Sequence, residues 1–308
     1  MTDIHGSTTV LAKAMDESRR RGADLLLICG DLEGKYLLFI EEGRDRITWE
    51  DPITGARRRS SRDRLAMTLD EIANCGGYGV VVPEGWDPAF ESEESLEQMI
   101  HEHSRRRLAE WIETLEGFAR RSGLAVLMMP GNDDAWQLDN LILSSEAVVF
   151  LDERVWEFRG YRFVGTSRVP PTPWLTPREV TEEDMAQRLE RIAGLGNTML
   201  PLILVAHTPP YACGLDNAPL LDKNRKQVIL GGVIQTTPVG SMSLRRFLET
   251  RHDIPLALHG HVHESAGWAR VGSTLCLNPG TEYFTGTLVG YDVRLTEEGV
   301  KHFERIRI

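Results

Sequence analysis

The sequence has few cysteines, no long apolar run and no signal segment, and each shortage argues against a class of protein. Its 308 residues contain four cysteines and no C-x-x-C pair, which favours a reduced intracellular protein over a disulfide framework. The longest apolar stretches, at 124–129 and 200–206, are far shorter than the roughly 20 residues of a membrane span. No basic and apolar leader opens the chain. A cytoplasmic location without a membrane partner is therefore expected.

The sequence also lacks an excess of basic over acidic residues. The chain has 35 Lys and Arg against 46 Asp and Glu, a formal net charge of −11, so a nucleic-acid partner is not expected. Arginine clusters at 57–59 and 105–107 are local exceptions, and we expect a solvated loop and a solvated helix face there. Hydrophobic content of 41% and charged content of 26% are ordinary for a globular protein with a sizeable core.

Residues of the kind that bind metals recur along the whole chain, most of them directly after a short apolar run. They are Asp3, His5, Asp31, Asn132, His207, His261 and His263. Ligands on loops at the carboxyl ends of successive strands meet in space although they are far apart in sequence. Asp, Asn and His together form an oxygen and nitrogen set suited to Mn, Fe, Zn or Ni rather than a thiolate site.

The order of these blocks, D-x-H, G-D, G-N, H and G-H-x-H, resembles the calcineurin-like metallophosphoesterases from residue 3 to about residue 280. Segments 165–177 and 277–281 are similar to its branch of predicted phosphoesterases related to cyclic-nucleotide phosphodiesterases. The resemblance implies an α/β fold, a four-layer α/β/β/α sandwich of two mixed sheets flanked by helices. It also implies hydrolysis of a small phosphomonoester or phosphodiester by a hydroxide that bridges two divalent ions.

The resemblance also assigns the ligands to two ions. Asp3, His5, Asp31 and His263 would hold the first ion, and Asp31 would bridge to the second. Asn132, His207 and His261 would complete the second ion. Mn²⁺ is the expected metal, with Fe, Zn or Ni as alternatives. The same centre could support a nuclease, and a non-catalytic metal-binding scaffold is a third interpretation.

The chain departs from its family at the G-N block, where the family has a histidine that is thought to donate a proton. Here the sequence reads Gly131-Asn132-Asp133-Asp134, and we expect Asn132 and Asp133 to be catalytic. An aspartate of ordinary pKa is ionised at pH 7 and cannot act as an acid. Burial or the adjacent Asp134 could raise the pKa of Asp133, and a plain loop surface is an equal alternative.

Four further residues are candidates for supporting or substrate-binding roles. Asp134 and His259 are expected to support the ligands, and His259 is more typical of a structural position than of a ligand. Trp174 and Tyr211 lie on loops predicted to border the metals. They could stack on a nucleobase or anchor their loops by hydrophobic contact.

Strands and helices alternate along the chain, which predicts α/β layering in one domain spanning 1–308. A helix is predicted at 8–21, a strand at 23–29 and a long helix at 93–121. An insertion at about 35–92 contains a turn at 51–55, a helical piece near 63–74 and a Gly/Pro-rich stretch to Pro88. Residues 208–237 are predicted to be irregular, and runs at 268–277 and 286–294 to finish a sheet.

The start of the chain is unusual for this fold. The D-x-H block normally follows a buried strand of about five or six residues, but only Met1 and Thr2 precede Asp3. We therefore expect a natural start further upstream and a frayed terminus that carries two metal ligands. The substrate, the choice between monoester and diester, and the oligomeric state stay open.

Overall fold

The computed structural model describes residues 1–51, 54–87 and 91–308. The helices are α1 (Thr8–Arg21), α2 (Leu65–Asn74), α3 (Glu93–Ser122), α4 (Asp139–Leu143), α5 (Glu182–Ala193) and α6 (Met242–Thr250). The strands up to the middle of the chain are β1 (Leu25–Cys29), β2 (Tyr36–Glu42), β3 (Arg46–Glu50), β4 (Arg57–Ser61), β5 (Gly77–Pro83), β6 (Ala125–Met129), β7 (Val148–Phe150), β8 (Val155–Phe158) and β9 (Tyr161–Thr166). The remaining strands are β10 (Leu202–Ala206), β11 (Asn217–Pro219), β12 (Ile229–Leu230), β13 (Val233–Ile234), β14 (Thr236–Pro238), β15 (Leu256–Leu258), β16 (Gly267–Val271), β17 (Thr274–Asn278), β18 (Val289–Thr296) and β19 (Gly299–Arg307).

Helix α1 shows how local sequence sets the boundaries of an element. The Ser7 hydroxyl accepts a hydrogen bond from the Val10 backbone N–H at 3.3 Å, which caps the first turn. Gly22 ends the helix with a φ of 64°, a left-handed conformation that a glycine adopts without a side-chain clash. The bounds of this helix are those predicted from the sequence.

Two sheets carry the strands that lead to the predicted ligands. A three-stranded sheet has the order β1-β6-β7, and all its pairs are parallel. A six-stranded sheet has the order β16-β17-β15-β10-β9-β8 and is mixed, with β9, β10, β15 and β17 parallel to one another. Parallel strands place their carboxyl ends at one edge of the sheet. The fold is therefore mixed α/β, as the alternation of elements predicts.

The hydrophobic core alternates along these strands with the two-residue period of a pleated sheet. In β1, Leu26 and Ile28 pack in a cluster with α1 and α3, whereas Leu25 and Leu27 face a second cluster. That second cluster joins β1 and β6 to side chains of the six-stranded sheet, and a third lies between the six-stranded sheet and helices α5 and α6. Both sheets are therefore covered on two faces, which explains their nearly continuous apolar sequences.

The segment predicted as an insertion contains a four-stranded sheet of order β4-β3-β2-β5 together with α2. Arg57–Arg59 lie in strand β4 rather than in a loop, although their side chains are exposed as expected. Arg107 is not fully solvated, because it donates to two backbone carbonyls and lies 4.5 Å from the centre of the Tyr78 ring. Part of the predicted turn, Pro52 and Ile53, and the end of the Gly/Pro-rich stretch at Pro88 fall outside the described residues.

Two predictions for the second half of the chain are wrong. Residues 208–237 are not irregular throughout, because β11 pairs with β14 and β12 pairs with β13. The run at 286–294 does not finish the larger sheet, because β18 pairs with β19 as a separate antiparallel sheet. These strands are short or rich in charged residues, so the hydrophobic pattern that identifies buried strands is weak in them.

Residues 1–6 run beside the end of β1. The Met1 ammonium donates to the Leu27 carbonyl at 3.0 Å, and the Asp3 N–H donates to the Gly30 carbonyl at 3.0 Å. Residues 2–7 are buried. The two predicted ligands carried by this segment are thus fixed against the loop that follows β1, and the prediction of a frayed terminus is wrong.

Two further observations concern membrane-spanning helices and the cysteines. Among the described residues, no helix combines the length and the apolar character needed to cross a membrane. The four cysteines are unpaired, and Cys29 and Cys276 are buried, as expected for small hydrophobic side chains. The predicted cytoplasmic location stays a prediction.

Candidate metal centre

Each predicted ligand lies on a loop at the carboxyl end of a buried strand, or directly beside one. Asp31 follows β1, Asn132 follows β6 and His207 follows β10 at once. The backbone φ angle is positive at four of the seven: Asp3 (51°), His5 (40°), Asp31 (47°) and His261 (66°). A non-glycine residue in this region costs of order 1–3 kcal/mol unless the surroundings impose it. Four of the nine non-glycine residues with a positive φ in the described part of the chain are thus predicted ligands, which indicates that these loops are bent to orient the side chains.

The structure brings Asp3, His5, Asp31 and His263 into one group, in which one donor atom from each lies within 4.8 Å of every other. The Nε2 atoms of His5 and His263 are 3.2 Å apart. His263 Nε2 lies 3.4 Å from Asp3 Oδ1, and His5 Nε2 lies 3.7 Å from Asp31 Oδ2. These are the four residues that the resemblance assigns to the first ion.

A second group contains Asn132, His207 and His261 and shares Asp31 with the first. Asn132 Oδ1 lies 3.0 Å from His207 Nε2 and 2.7 Å from His261 Nδ1. His207 Nε2 lies 3.3 Å from Asp31 Oδ1. The two oxygens of the Asp31 carboxylate therefore face different groups of donors, which is the arrangement of a bridging ligand. Their role as ligands stays a prediction.

The spacing of these donors fits divalent cations. Ligand atoms about 2.1 Å from one ion are about 3.0 Å apart at octahedral angles and about 3.4 Å apart at tetrahedral angles. The donor separations in both groups, from 2.7 to 3.7 Å, lie around these values. Imidazole, amide and carboxylate donors also form the mixed nitrogen and oxygen set that Mn, Fe, Zn and Ni accept.

The pKa shifts of the buried donors also indicate a site for a cation. Burial raises the pKa of Asp3, but the hydrogen bond to His263 and the charge of His207 outweigh burial and lower this pKa to about 2. Burial lowers the pKa of His207, but the carboxylates of Asp31 and Asp3 reverse that effect and raise it to about 9. Burial and the charge of His207 lower the pKa of His261 to about 4. Without a cation, the buried carboxylates thus retain a proton on His207, and a divalent ion offers a stronger positive charge at the same place.

Two glycines allow the loops to approach this closely. A Cβ atom on Gly131 would lie 2.1 Å from Asp31 Oδ1 and 2.3 Å from the Asp31 backbone nitrogen. A Cβ atom on Gly30, whose φ is +100°, would lie 2.2 Å from His207 Nδ1. The short contacts show that the G-D and G-N blocks both need glycine for space, and Gly30 also needs it for its positive φ.

Asp134 joins the Asp31 loop to the Asn132 loop. Its fully buried carboxylate accepts hydrogen bonds from the backbone N–H groups of Gly131 (2.7 Å), Leu32 (2.8 Å) and Glu33 (2.8 Å). Burial and the charge of Asp31 raise the pKa of Asp134 to about 6. This contact pattern fits the predicted supporting role, because Asp134 fixes the backbone of two loops that carry donors.

Asp133 forms an ion pair with Lys35, four residues beyond Asp31. Its other carboxylate oxygen accepts from Asn132 Nδ2 at 2.8 Å, and its backbone N–H donates to Asp31 Oδ1 at 3.1 Å. A neighbouring ammonium group favours the ionised form of a carboxylate. This pairing argues against Asp133 as a proton donor.

The remaining three candidates for supporting or substrate-binding roles are His259, Trp174 and Tyr211. His259 Nδ1 lies 2.8 Å from the Ala206 carbonyl and 3.1 Å from the Thr208 carbonyl, on either side of His207. Trp174 is 59% exposed. In the part of the chain that the structure describes, no hydrogen bond joins Trp174 or Tyr211 to any of the seven predicted ligands.

Sequence reasoning missed three polar contacts at the centre. Lys35 pairs with Asp133, Thr176 Oγ1 accepts from Asn132 Nδ2 at 3.1 Å, and Thr281 Oγ1 donates to the Asp3 carbonyl at 2.7 Å. The two threonines lie in the segments 165–177 and 277–281 that carry the family resemblance. Lys35 has no comparable signal, because a lysine four residues beyond Asp31 is ordinary in a surface loop.

The fold and the site together define a mixed α/β protein with a cluster of metal-type donors at the carboxyl ends of its strands. No family model matches the chain. The uncharacterized protein MJ1162 of Methanocaldococcus jannaschii is 31% identical over 170 residues, which are 54% of this chain and 70% of that protein. The chain belongs to the same family as that protein.

Two solved structures are similar in fold at low identity. One crystal structure matches 91% of this chain and 88% of its own with a TM-score of 0.51 and 14% identity, a likeness of fold alone. A crystal structure of a dimetal phosphatase from Danio rerio covers 91% of this chain and 85% of its own. Its TM-score of 0.45 and identity of 10% are too low to carry an argument about this chain.

Proposed function

We propose that this protein is a calcineurin-like metallophosphoesterase with a four-layer α/β/β/α architecture, which hydrolyses a small phosphomonoester or phosphodiester using two divalent ions. The observation that carries the proposal is the Asp31 carboxylate, whose two oxygens face two separate groups of donors. The helices packed outside the two sheets, and the core between them, support the architecture.

The proposed ligands are those expected from the sequence. Asp3, His5, Asp31 and His263 would hold one ion, and Asp31, Asn132, His207 and His261 the other. When bound, two such ions lower the pKa of a coordinated water, orient the phosphoryl group and offset the charge that develops in the transition state. Mn²⁺ is the metal we propose first, because it accepts a mixed set of carboxylate, amide and imidazole donors, as Fe, Zn and Ni also do.

The chain's own residues prepare this chemistry before substrate arrives. Asp134 fixes the loops of Asp31 and Asn132 through three backbone N–H groups, so the donors do not have to be reorganised on binding. Asp133 is held by Lys35 and offers no proton to a leaving group. We therefore expect activated esters to be cleaved far better than alkyl esters, by about 10²–10⁴-fold, the usual contribution of a general acid.

The test is a screen of Mn²⁺-reconstituted protein against para-nitrophenyl phosphate, its bis-ester, and a panel of nucleotides and cyclic nucleotides. Hydrolysis should require metal and should be abolished by Asp31→Ala or His207→Ala, because each removes a donor from the centre. Asp16→Ala is a matched control, since Asp16 is an exposed aspartate on α1 with a side chain 77% accessible. A protein that binds two Mn²⁺ ions and hydrolyses none of these esters would contradict the proposal.

A further inference from the structure

The ion pair between Lys35 and Asp133 lies beside the predicted metal centre, because Asp133 directly follows the proposed ligand Asn132. The Lys35 side chain is 34% exposed and that of Asp133 is 26% exposed, so both are open to solvent on one side. Asp133 also accepts from Asn132 Nδ2 and donates its backbone N–H to Asp31. Asp133 therefore connects the Lys35 ammonium group to two of the proposed ligands, to Asn132 through its carboxylate and to Asp31 through its backbone N–H.

The Lys35 ammonium group lies one residue away from a proposed ligand, because the backbone N–H of its partner Asp133 donates to Asp31 Oδ1 at 3.1 Å. The backbone of Lys35 is fixed where the chain enters β2, because its N–H donates to the Gly76 carbonyl at 3.2 Å. The ammonium group is thus a cation at a defined place beside the donors.

An ammonium group has three N–H donors, and in the described part of the chain Lys35 Nζ has one partner, Asp133. The neighbouring arginines differ in this respect. Arg107 donates to two backbone carbonyls, and Arg178 donates to two backbone carbonyls and to Asp139. Two N–H groups of the Lys35 ammonium are therefore available to a ligand. The two arginines instead use their N–H groups in hydrogen bonds within the protein.

Stability alone gives little reason for this pair. An exposed ion pair contributes about 0–1 kcal/mol and restricts a long flexible side chain. Next to two divalent cations a lysine would also be repelled, unless an anion compensated for its charge. Asp133 supplies one such anion, and a phosphate ester entering the centre supplies another.

We propose that the Lys35 ammonium group binds a phosphoryl oxygen of the substrate and of the product phosphate, and that Asp133 holds it in place beforehand. This inference rests on the proposed function, since it assumes that a phosphate enters the centre. It assigns substrate binding to a residue that belongs to neither group of metal donors.

The test compares Lys35→Met, which removes the charge, with Lys35→Arg, which retains a cation. Lys13→Met is the matched control, because Lys13 Nζ donates to the carbonyls of Gly286 at 2.7 Å and Ile308 at 3.3 Å, neither of which is a proposed ligand. Calorimetry first measures Mn²⁺ binding to each protein and then inorganic phosphate binding to the Mn²⁺-loaded proteins. Lys35→Met should weaken phosphate binding about 10- to 100-fold, the usual range for a hydrogen bond to a charged group. Mn²⁺ binding should not weaken, because removal of the ammonium group removes a charge that repels the cations.

Lys35→Arg should retain most of the phosphate affinity, and Lys13→Met should retain all of it. Unchanged phosphate binding in Lys35→Met would overturn the inference. A loss of Mn²⁺ binding in that variant would also overturn it, because Lys35 would then act on the metal site. The proposed function is decided separately, by whether the wild-type protein hydrolyses esters in the screen described above.

Discussion

Replacing Gly131 with alanine tests whether the close approach of two loops builds the metal centre. The added methyl carbon would lie 2.1 Å from Asp31 Oδ1 and 2.3 Å from the Asp31 nitrogen. Real contacts of this kind are not shorter than about 3.0 Å. Gly131 does not have a positive φ, so the substitution adds a steric clash without a change in backbone preference.

The size of the effect of Gly131→Ala on Mn²⁺ affinity follows from the distance that the clashing atoms must move. Relieving the clash requires a shift of about 1 Å between Asp31 and the Asn132 loop, and overpacking of this kind costs about 1–3 kcal/mol. Both loops carry proposed ligands, and Asp134 holds them together through the Gly131 N–H. Changes in the groups that orient metal ligands reduce metal affinity about 10- to 100-fold. We expect Gly131→Ala to lose Mn²⁺ affinity within that range.

The assay is Mn²⁺ titration by calorimetry, together with urea unfolding in the presence of EDTA. Gly194→Ala is a matched control, because Gly194 has a φ of −83° and an added Cβ would make an ordinary contact of 3.5 Å with the Arg191 carbonyl. If Gly131→Ala binds Mn²⁺ like Gly194→Ala and is equally stable, the reasoning about loop approach is refuted.

Three further predictions concern stability. Arg162→Met should destabilise the fold by about 3–5 kcal/mol in urea unfolding, because the buried Arg162 donates to three backbone carbonyls and pairs with Asp253 at 3.1 Å. Glu17→Gln should cost at most about 1 kcal/mol at pH 7. That difference should shrink as the pH falls from 4.5 towards 2, since hydrogen bonds from Arg20 and Arg21 lower the folded-state pKa of Glu17 to about 2. Mn²⁺ at 100 times its dissociation constant should stabilise the protein by about 2.7 kcal/mol in the same assay.

Each of these has a control and a contradicting outcome. The exposed Arg159 is the comparison for Arg162, and equal effects of the two methionine substitutions would show that the buried contacts do not matter. A Glu17→Gln difference that stays constant down to pH 3 would rule out the ion pairs as its source. If Mn²⁺ stabilises Asp31→Asn as much as wild type, the metal binds elsewhere.

The sequence predicts which donor side chains lie close together better than it predicts the periphery of the fold. Asp31, Asn132 and His207 follow strands whose apolar runs are nearly continuous, since both faces of β1, β6 and β10 are buried. Such strands are recognisable from one sequence, and their carboxyl ends place the loops. The order of the D-x-H, G-D, G-N, H and G-H-x-H blocks then predicts which donors belong to which ion. Hydrophobic periodicity alone carries no such information.

Other parts could not be predicted for physical reasons. The strands β12 and β13 have two residues each, too few for any alternation to be visible. Strand β19 is rich in charged side chains and lies in a separate hairpin with β18. The pairing of Lys35 with Asp133 joins residues 98 positions apart. It depends on how two loops meet, which local sequence does not specify.

The placement of donors at both ends of the chain has a mechanical consequence. His5 and His263 are 258 positions apart, so an ion held by both would act as a reversible cross-link between the first six residues and the loop that joins β15 to β16. In the described structure that segment belongs to no helix or strand, and its N–H groups at Asp3, His5 and Gly6 donate to carbonyls of the loop after β1. Removal of metal should therefore speed hydrogen exchange of these three amides before it affects the sheets. The exchange rates of these amides would then report metal occupancy at the segment that carries Asp3 and His5.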